Sequence, residues 1–234
     1  MSAAAQPGLP FPPVRTRPEA FVTGAGNQDA LDRLAAWRAG LNRPARPLAV
    51  VIVVTGPPGS GKSRLLEREA AEFGVTVRGP GADFDADASG GAGGEAIAAD
   101  DAHGFAPLDL FALIEASAQR GTPLMLAGEG RVADWSGAGK DKLPDLASRL
   151  SSIAQAPLGP PDEAMLASVL SDQLARRGLK APFAAVAEAA GKLRREYAAA
   201  MAVAEAAERL AARGYKKPAG LLRDEIGRAS CRER

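Results

Sequence analysis

A chain of 234 residues can hold one sizeable α/β core and a small appendage. With 46% apolar and 24% charged residues it has the composition of a globular protein, and a formal net charge of +1 excludes a broad basic field for nucleic acid. The one cysteine, Cys231, excludes a disulfide framework, and the longest apolar run, Leu48 to Val54, is too short to cross a membrane.

Residues 1–19 are Pro-rich, carry no apolar signal-peptide core and read as a flexible leader. Within them Gln6-Pro7-Gly8-Leu9-Pro10-Phe11 forms a Q-x-x-L-x-F pattern. In such a peptide Leu9 and Phe11 can fill apolar pockets while the Gln6 amide bonds at the rim, and the prolines favour an extended backbone. An amphipathic helix follows over Asp29 to Gly40, with Leu31, Leu34, Ala35 and Trp37 as its apolar contacts. Ala49 to Val54 is a continuous β-branched run, the pattern of a strand covered on both faces.

That strand runs into Gly56-Pro57-Pro58-Gly59-Ser60-Gly61-Lys62-Ser63, a G-x-x-x-x-G-K-S phosphate loop that opens a helix over Ser63 to Phe73. Glycines let backbone N–H groups curl toward phosphate, and the helix N-terminus adds partial positive charge. Lys62 is then expected to reach the β- and γ-phosphates and the Ser63 hydroxyl to ligate Mg²⁺, with ADP or ATP as cofactor. The loop alone does not choose among nucleotide-binding classes, because small-molecule kinases also carry it.

Weaker strands are expected at Val75 to Val77, Ala96 to Ala99, Leu124 to Ala127 and Ser152 to Ala156, with a surface loop at Ser89 to Gly94 and a helix over Leu108 to Gln119. Alternating strands and helices predict an α/β fold with a parallel sheet flanked by helices. Asp100 and Asp101 end the Ala96 strand, where one carboxylate can hold Mg²⁺ through water and its neighbour can polarise an attacking water. A solvated turn is the bland alternative, and His103 reads as a loop residue.

Past Pro160-Pro161 the chain turns helical, over Asp162 to Gly178, Pro182 to Leu193, Arg195 to Gly214 and Lys217 to Arg223. The expected organisation is therefore a leader (1–19), an α/β nucleotide-binding core (20–159) and an all-helical lid (160–225). Residues 226–234 are read as a non-native tail, because EIGRASCRER resembles translated sequencing adapter, and Cys231 receives no role.

The boxes taken in order resemble DnaA-type AAA+ proteins between about Phe21 and Arg223. Phe21 to Asn27 resembles the family segment bordering the adenine, which implies that Phe21 or Val22 packs on the base. Leu143 to Leu150 resembles the box that carries the arginine finger, on Arg149; a helix-end arginine paired with Asp145 is the plainer alternative. Lys192 to Tyr197 resembles the second sensor, with Arg195 on the phosphate-sensing arginine, where a solvated basic helix face competes. The match departs at the first sensor, where Ala127 stands in place of a polar residue, so weak intrinsic hydrolysis is expected.

The initiator's DNA-binding domain would begin where this chain ends, and the resemblance is to the short regulators of the Hda type. It implies docking on the DNA-loaded sliding clamp through Gln6, Leu9 and Phe11, and Arg149 acting in trans on ATP bound by DnaA. It implies a cytoplasmic protein brought to the nucleoid by the clamp, with no sequence-specific DNA contact or membrane of its own, and leaves homo-oligomers open. Competing readings are an autonomous AAA+ ATPase such as a loader or remodelling factor, a P-loop small-molecule kinase, and a binding scaffold without catalytic contribution.

Overall fold

The computed structural model describes residues 21–82 and 96–213. The leader with Gln6, Leu9 and Phe11, the Ser89 to Gly94 loop, the Lys217 to Arg223 helix and the tail with Cys231 lie outside the described residues. Helix α1 (Gln28–Gly40) leads to β1 (Val51–Thr55), α2 (Lys62–Glu72), β2 (Val77–Arg78), β3 (Ile97–Ala99), α3 (Pro107–Arg120) and β4 (Leu124–Gly128). Then come α4 (Pro144–Ser152), β5 (Ala154–Pro157), α5 (Glu163–Arg176), α6 (Phe183–Gly191) and α7 (Tyr197–Ala212).

The five strands form one parallel sheet in the order β2-β3-β4-β1-β5. The centre explains the unbroken apolar run. Val51 and Val53 belong to a cluster with Leu110, Ile114, Leu124, Leu126, Leu146 and Leu150. Ile52 and Val54 belong to the cluster on the other face, with Ala30, Leu34, Leu65, Leu66, Met125 and Ala127. Alternate side chains point to opposite faces, so a strand covered on both must be apolar at every position.

Several expectations shift by a residue or two. The β-branched run begins as a 3₁₀ turn, Pro47–Val50, so the strand starts at Val51 rather than Ala49. Val75 is not in a strand: its N–H bonds back to the Ala70 carbonyl, and Gly74 bonds to Ala71 in the left-handed conformation. This double bond is the Schellman closure of α2, and it leaves only Val77 and Arg78 for β2. In α1 the inward stripe is Ala30, Leu34 and Trp37, while Ala35 is exposed. The Leu143 box becomes α4, entered through Pro144 in the first turn.

The lid has its own core, where Leu166, Leu170 and Leu174 of α5 pack with Val186 and Ala189 of α6 and with Ala200, Val203, Ala204 and Ala207 of α7. The alanines let these three helices approach closely. Asp162 caps α5, its carboxylate accepting a bond from Met165 N at 2.7 Å, directly after Pro160-Pro161. Among the described residues no helix is long and apolar enough to cross a membrane.

Candidate functional site

The phosphate loop joins the C-terminal end of β1 to the N-terminus of α2, the edge at which open parallel sheets hold ligands. Gly59 and Gly61 have φ of 75° and 87°, so both lie in the left-handed region that favours glycine. Gly59 has a second constraint. A Cβ there would meet Met201 Sδ at 2.6 Å and Tyr197 Cβ at 3.2 Å, because α7 of the lid packs on the loop.

Loop and lid enclose a cavity of about 360 Å³, within the range of small-ligand sites. Ser60, Lys62 and Ser63 form its floor. Phe21, Val22 and Asn27 form the front, and Met165, Tyr197 and Met201 the lid side. The front is a tight turn held by one side chain: Asn27 Oδ1 accepts a bond from Gly24 N at 2.9 Å, and Asn27 Nδ2 donates to the Val22 carbonyl at 2.7 Å. Gly159 N donates to the Gly26 carbonyl at 2.7 Å, which fixes this turn against the core–lid connection. Phe21 also lies under the Arg68 guanidinium, 5.1 Å from ring centroid to Cζ.

Lys62 is buried, with its side chain 6% exposed, and its ammonium donates to Glu129 Oε1 at 3.0 Å and to the Pro57 carbonyl at 3.0 Å. Glu129 received no role from the sequence, yet it is the acidic partner of the loop lysine. Its backbone is held on both sides. The N–H donates to His103 Nδ1 at 3.3 Å, and the carbonyl accepts from Trp135 Nε1 at 2.7 Å. The available signal was a lone carboxylate in Gly128-Glu129-Gly130, immediately after an apolar strand.

The acidic pair divides. Among the described residues the cavity wall includes Asp101 and not Asp100. Asp101 takes a left-handed backbone (φ 51°), the one non-glycine described residue to do so, and its N–H donates to Asp100 Oδ1 at 2.9 Å. Asp tolerates this conformation better than most residues, and such local strain gathers at functional sites. Asp100 stands behind it and shapes the turn.

The two arginines lie elsewhere. Arg149 on α4 forms an ion pair with Glu115 at 2.9 Å, not with Asp145, and its guanidinium sits over Phe111 at 5.3 Å. Arg195 is half-exposed, 3.4 Å from Glu163 Oε2, and borders a second pocket of about 290 Å³ together with Pro57, Pro58, Pro160 and Tyr197. It is thus beside the first residues of the phosphate loop, on a different side from Lys62. Ala127 is fully buried in the sheet, so no polar group comes from that position.

Also lining the main cavity, Asp172 of α5 pairs with Arg64 of α2 at 3.1 Å, linking lid to core, and with Arg176 at 3.0 Å. Tyr197 is buried and donates its hydroxyl to Met165 Sδ at 2.9 Å. Burial, and secondarily the Asp162 carboxylate, push its phenol above the ordinary range.

The cavity fits a phosphate ligand on its own terms. Ser60 Oγ is buried in the loop with no hydrogen-bond partner, which is costly unless a ligand supplies one. Ser63 and Asp101 on the same wall supply oxygen donors of the kind Mg²⁺ takes beside a phosphate, although no group of three or more metal-binding side chains occurs among the described residues.

No family model and no curated relative matches the chain. Solved structures do. Domain III of the Thermotoga maritima replication initiation protein DnaA is 17% identical with a TM-score of 0.60, the match covering 88% of this chain and 94% of that one. The Thermotoga maritima RuvB Holliday junction branch migration motor is 17% identical with a TM-score of 0.55, covering 84% and 67%. A replication initiator DnaA bound to AMPPCP and single-stranded DNA is 15% identical with a TM-score of 0.54, covering 79% and 62%. At such identities the likeness speaks for the fold, and the fold is that of the AAA+ P-loop proteins: a five-stranded parallel sheet flanked by helices and followed by a helical lid.

Proposed function

We propose that this chain is a nucleotide-gated regulator of replication initiation, of the DnaA-related Hda type. The observation that carries the reading is the cavity that gathers Ser60, Lys62, Ser63 and Asp101 beneath α7 of the lid, so that a bound nucleotide touches core and lid together. The likeness to DnaA domain III and the order of the sequence boxes support the choice of family.

In this reading the backbone N–H groups of Gly59 to Lys62 and the Ser60 hydroxyl receive phosphate oxygens, and Lys62 neutralises the β-phosphate. Ser63 and Asp101 would hold Mg²⁺, which supplies charge neutralisation at the phosphates, while Asp100 shapes the turn that presents Asp101. Phe21 and Val22 border the base. Arg195, next to Pro57 and Pro58, reports the phosphate state to the lid. Arg149 is poised away from its own cavity, half-exposed on α4, and on assembly it exchanges Glu115 for the γ-phosphate held by ATP-bound DnaA. Gln6, Leu9 and Phe11 bind the sliding clamp and so concentrate the protein where DnaA is to be switched off.

The test is hydrolysis of DnaA-bound ATP in the presence of DNA-loaded clamp. The intact chain should accelerate it. Deletion of residues 1–12 should remove most of the effect, and Arg149→Ala should remove the effect while leaving clamp binding intact. Full stimulation by both altered proteins would overturn the reading. A second reading, an autonomous ATPase, draws on one observation: Asp101 and Glu129 both line the cavity that holds Lys62. Rapid ATP turnover by the purified chain alone, without DnaA or clamp, would favour it.

A further inference from the structure

This inference rests on the nucleotide reading of the cavity and concerns the acidic partner of the loop lysine. Lys62 is not waiting in solvent. Its ammonium is committed to the Glu129 carboxylate and the Pro57 carbonyl, each at 3.0 Å. The carboxylate comes from a braced backbone. His103 Nδ1 and Trp135 Nε1 hold the Glu129 peptide groups at 3.3 and 2.7 Å, and the Trp135 ring lies so close over Gly128 that a Cβ there would come within 2.6 Å of it. Strand register completes the placement. Gly128 pairs with Thr55, the last pair of the two strands, and the next residues along the chain are Glu129 and Gly56, the first residue of the phosphate loop.

We propose that Glu129 is a specificity-determining residue, an internal anion that occupies Lys62 until the β-phosphate of a Mg²⁺-loaded nucleoside di- or triphosphate displaces it. Competition for Lys62 and the charge left behind set the preference. A ligand without a β-phosphate does not reach the loop lysine, so the ion pair stays closed and the ligand gains nothing from Lys62. A diphosphate that opens the pair leaves the freed Glu129 carboxylate beside its own negative charge, with Asp101 on the same wall. Like charges lining one cavity oppose binding, and a divalent cation relieves them. Diphosphate and Mg²⁺ therefore promote each other's binding through Glu129, and the coupling is reciprocal.

The test is calorimetric titration of the full chain with ADP and with AMP, each in Mg²⁺ and in EDTA, comparing wild type with Glu129→Gln. The substitution keeps the shape and removes the charge. Because Glu129 is 38% exposed, solvent screens the pair and the expected gain is moderate. Affinity for Mg²⁺-free ADP should rise about two- to fivefold, the Mg²⁺ dependence should shrink by the same factor, and AMP should be unaffected. Glu129→Ala should move ADP binding the same way, and melting without nucleotide checks that both proteins are folded. ADP uptake by wild type that neither variant strengthens overturns the proposal while leaving the nucleotide site standing. Equal tightening of ADP and AMP also overturns it, since Glu129 would then act as a general field. Absence of ADP uptake in all three proteins overturns the nucleotide reading itself.

Discussion

In the proposed nucleotide site, Ser60 is a side chain whose cost to the fold a bound phosphate would offset. Its hydroxyl is buried with no hydrogen-bond partner in the protein, and burying such a group costs free energy. Ser60→Ala should leave stability in denaturant unchanged or raise it by up to about 1 kcal/mol, while lowering ADP affinity several-fold by calorimetry. A large loss of stability would show that the hydroxyl is satisfied in the free state. Tyr197 makes a pH prediction. Its folded pKa is raised above the unfolded value near 10, by burial first and Asp162 second. The stabilisation is thus fully present below about pH 10 and lost as pH rises toward the folded value, because the unfolded phenol ionises first. Stability curves should fall above that pH, and Tyr197→Phe should flatten the fall. At this scale the sequence was readable where chemistry is contiguous. Gly56 to Ser63 carries its own turn, lysine and hydroxyl in eight neighbouring positions. Glu129 was not readable, because its meaning comes from β4 pairing with β1, a contact across more than seventy residues of chain.

Elements were legible in proportion to how much of their stability is local. Helix α5 announced itself at both ends: Asp162 caps it, and Gly178 closes it in the left-handed conformation, with Leu179 N bonded to Leu174 O. Strand β3 has only Ile97, Ala98 and Ala99, and exists because β4 offers it a parallel edge. Arg149 illustrates the same point from the other side, since nothing near it in sequence names Glu115 or Phe111 as its partners. The cap of α5 gives the element-scale prediction. Asp162→Ala leaves a first-turn N–H without its acceptor, and loss of such caps costs about 1 kcal/mol. The melting temperature should fall by about 2–4 °C for a chain of this size. The Tyr197 phenol should titrate closer to its ordinary value, as the neighbouring negative charge is gone. An unmoved melting temperature would mean that α5 is held by its packing with α6 and α7 alone.

Across the whole molecule, core and lid have separate apolar clusters, and polar or close-packed contacts join them at the cavity. Met201 and Tyr197 rest on Gly59, and Asp172 reaches Arg64. The cavity is therefore bounded by both bodies, and a ligand filling it must add to whatever holds them together. At a hundredfold excess over its dissociation constant a ligand specific to the folded state contributes about 2.7 kcal/mol. For a chain of this length that corresponds to about 5–10 °C in melting temperature. ADP with Mg²⁺ should produce such a shift in wild type and none in Lys62→Ala, whose partner Glu129 is exposed enough to be rehydrated. Hydrogen exchange separates two ways of reaching that shift. If nucleotide clamps lid to core, amides of α5 and α7 gain protection along with those of α2. Protection confined to α2 and the loop would mean that the ligand stabilises the core and leaves the lid free, and lid angle could then not carry the nucleotide signal.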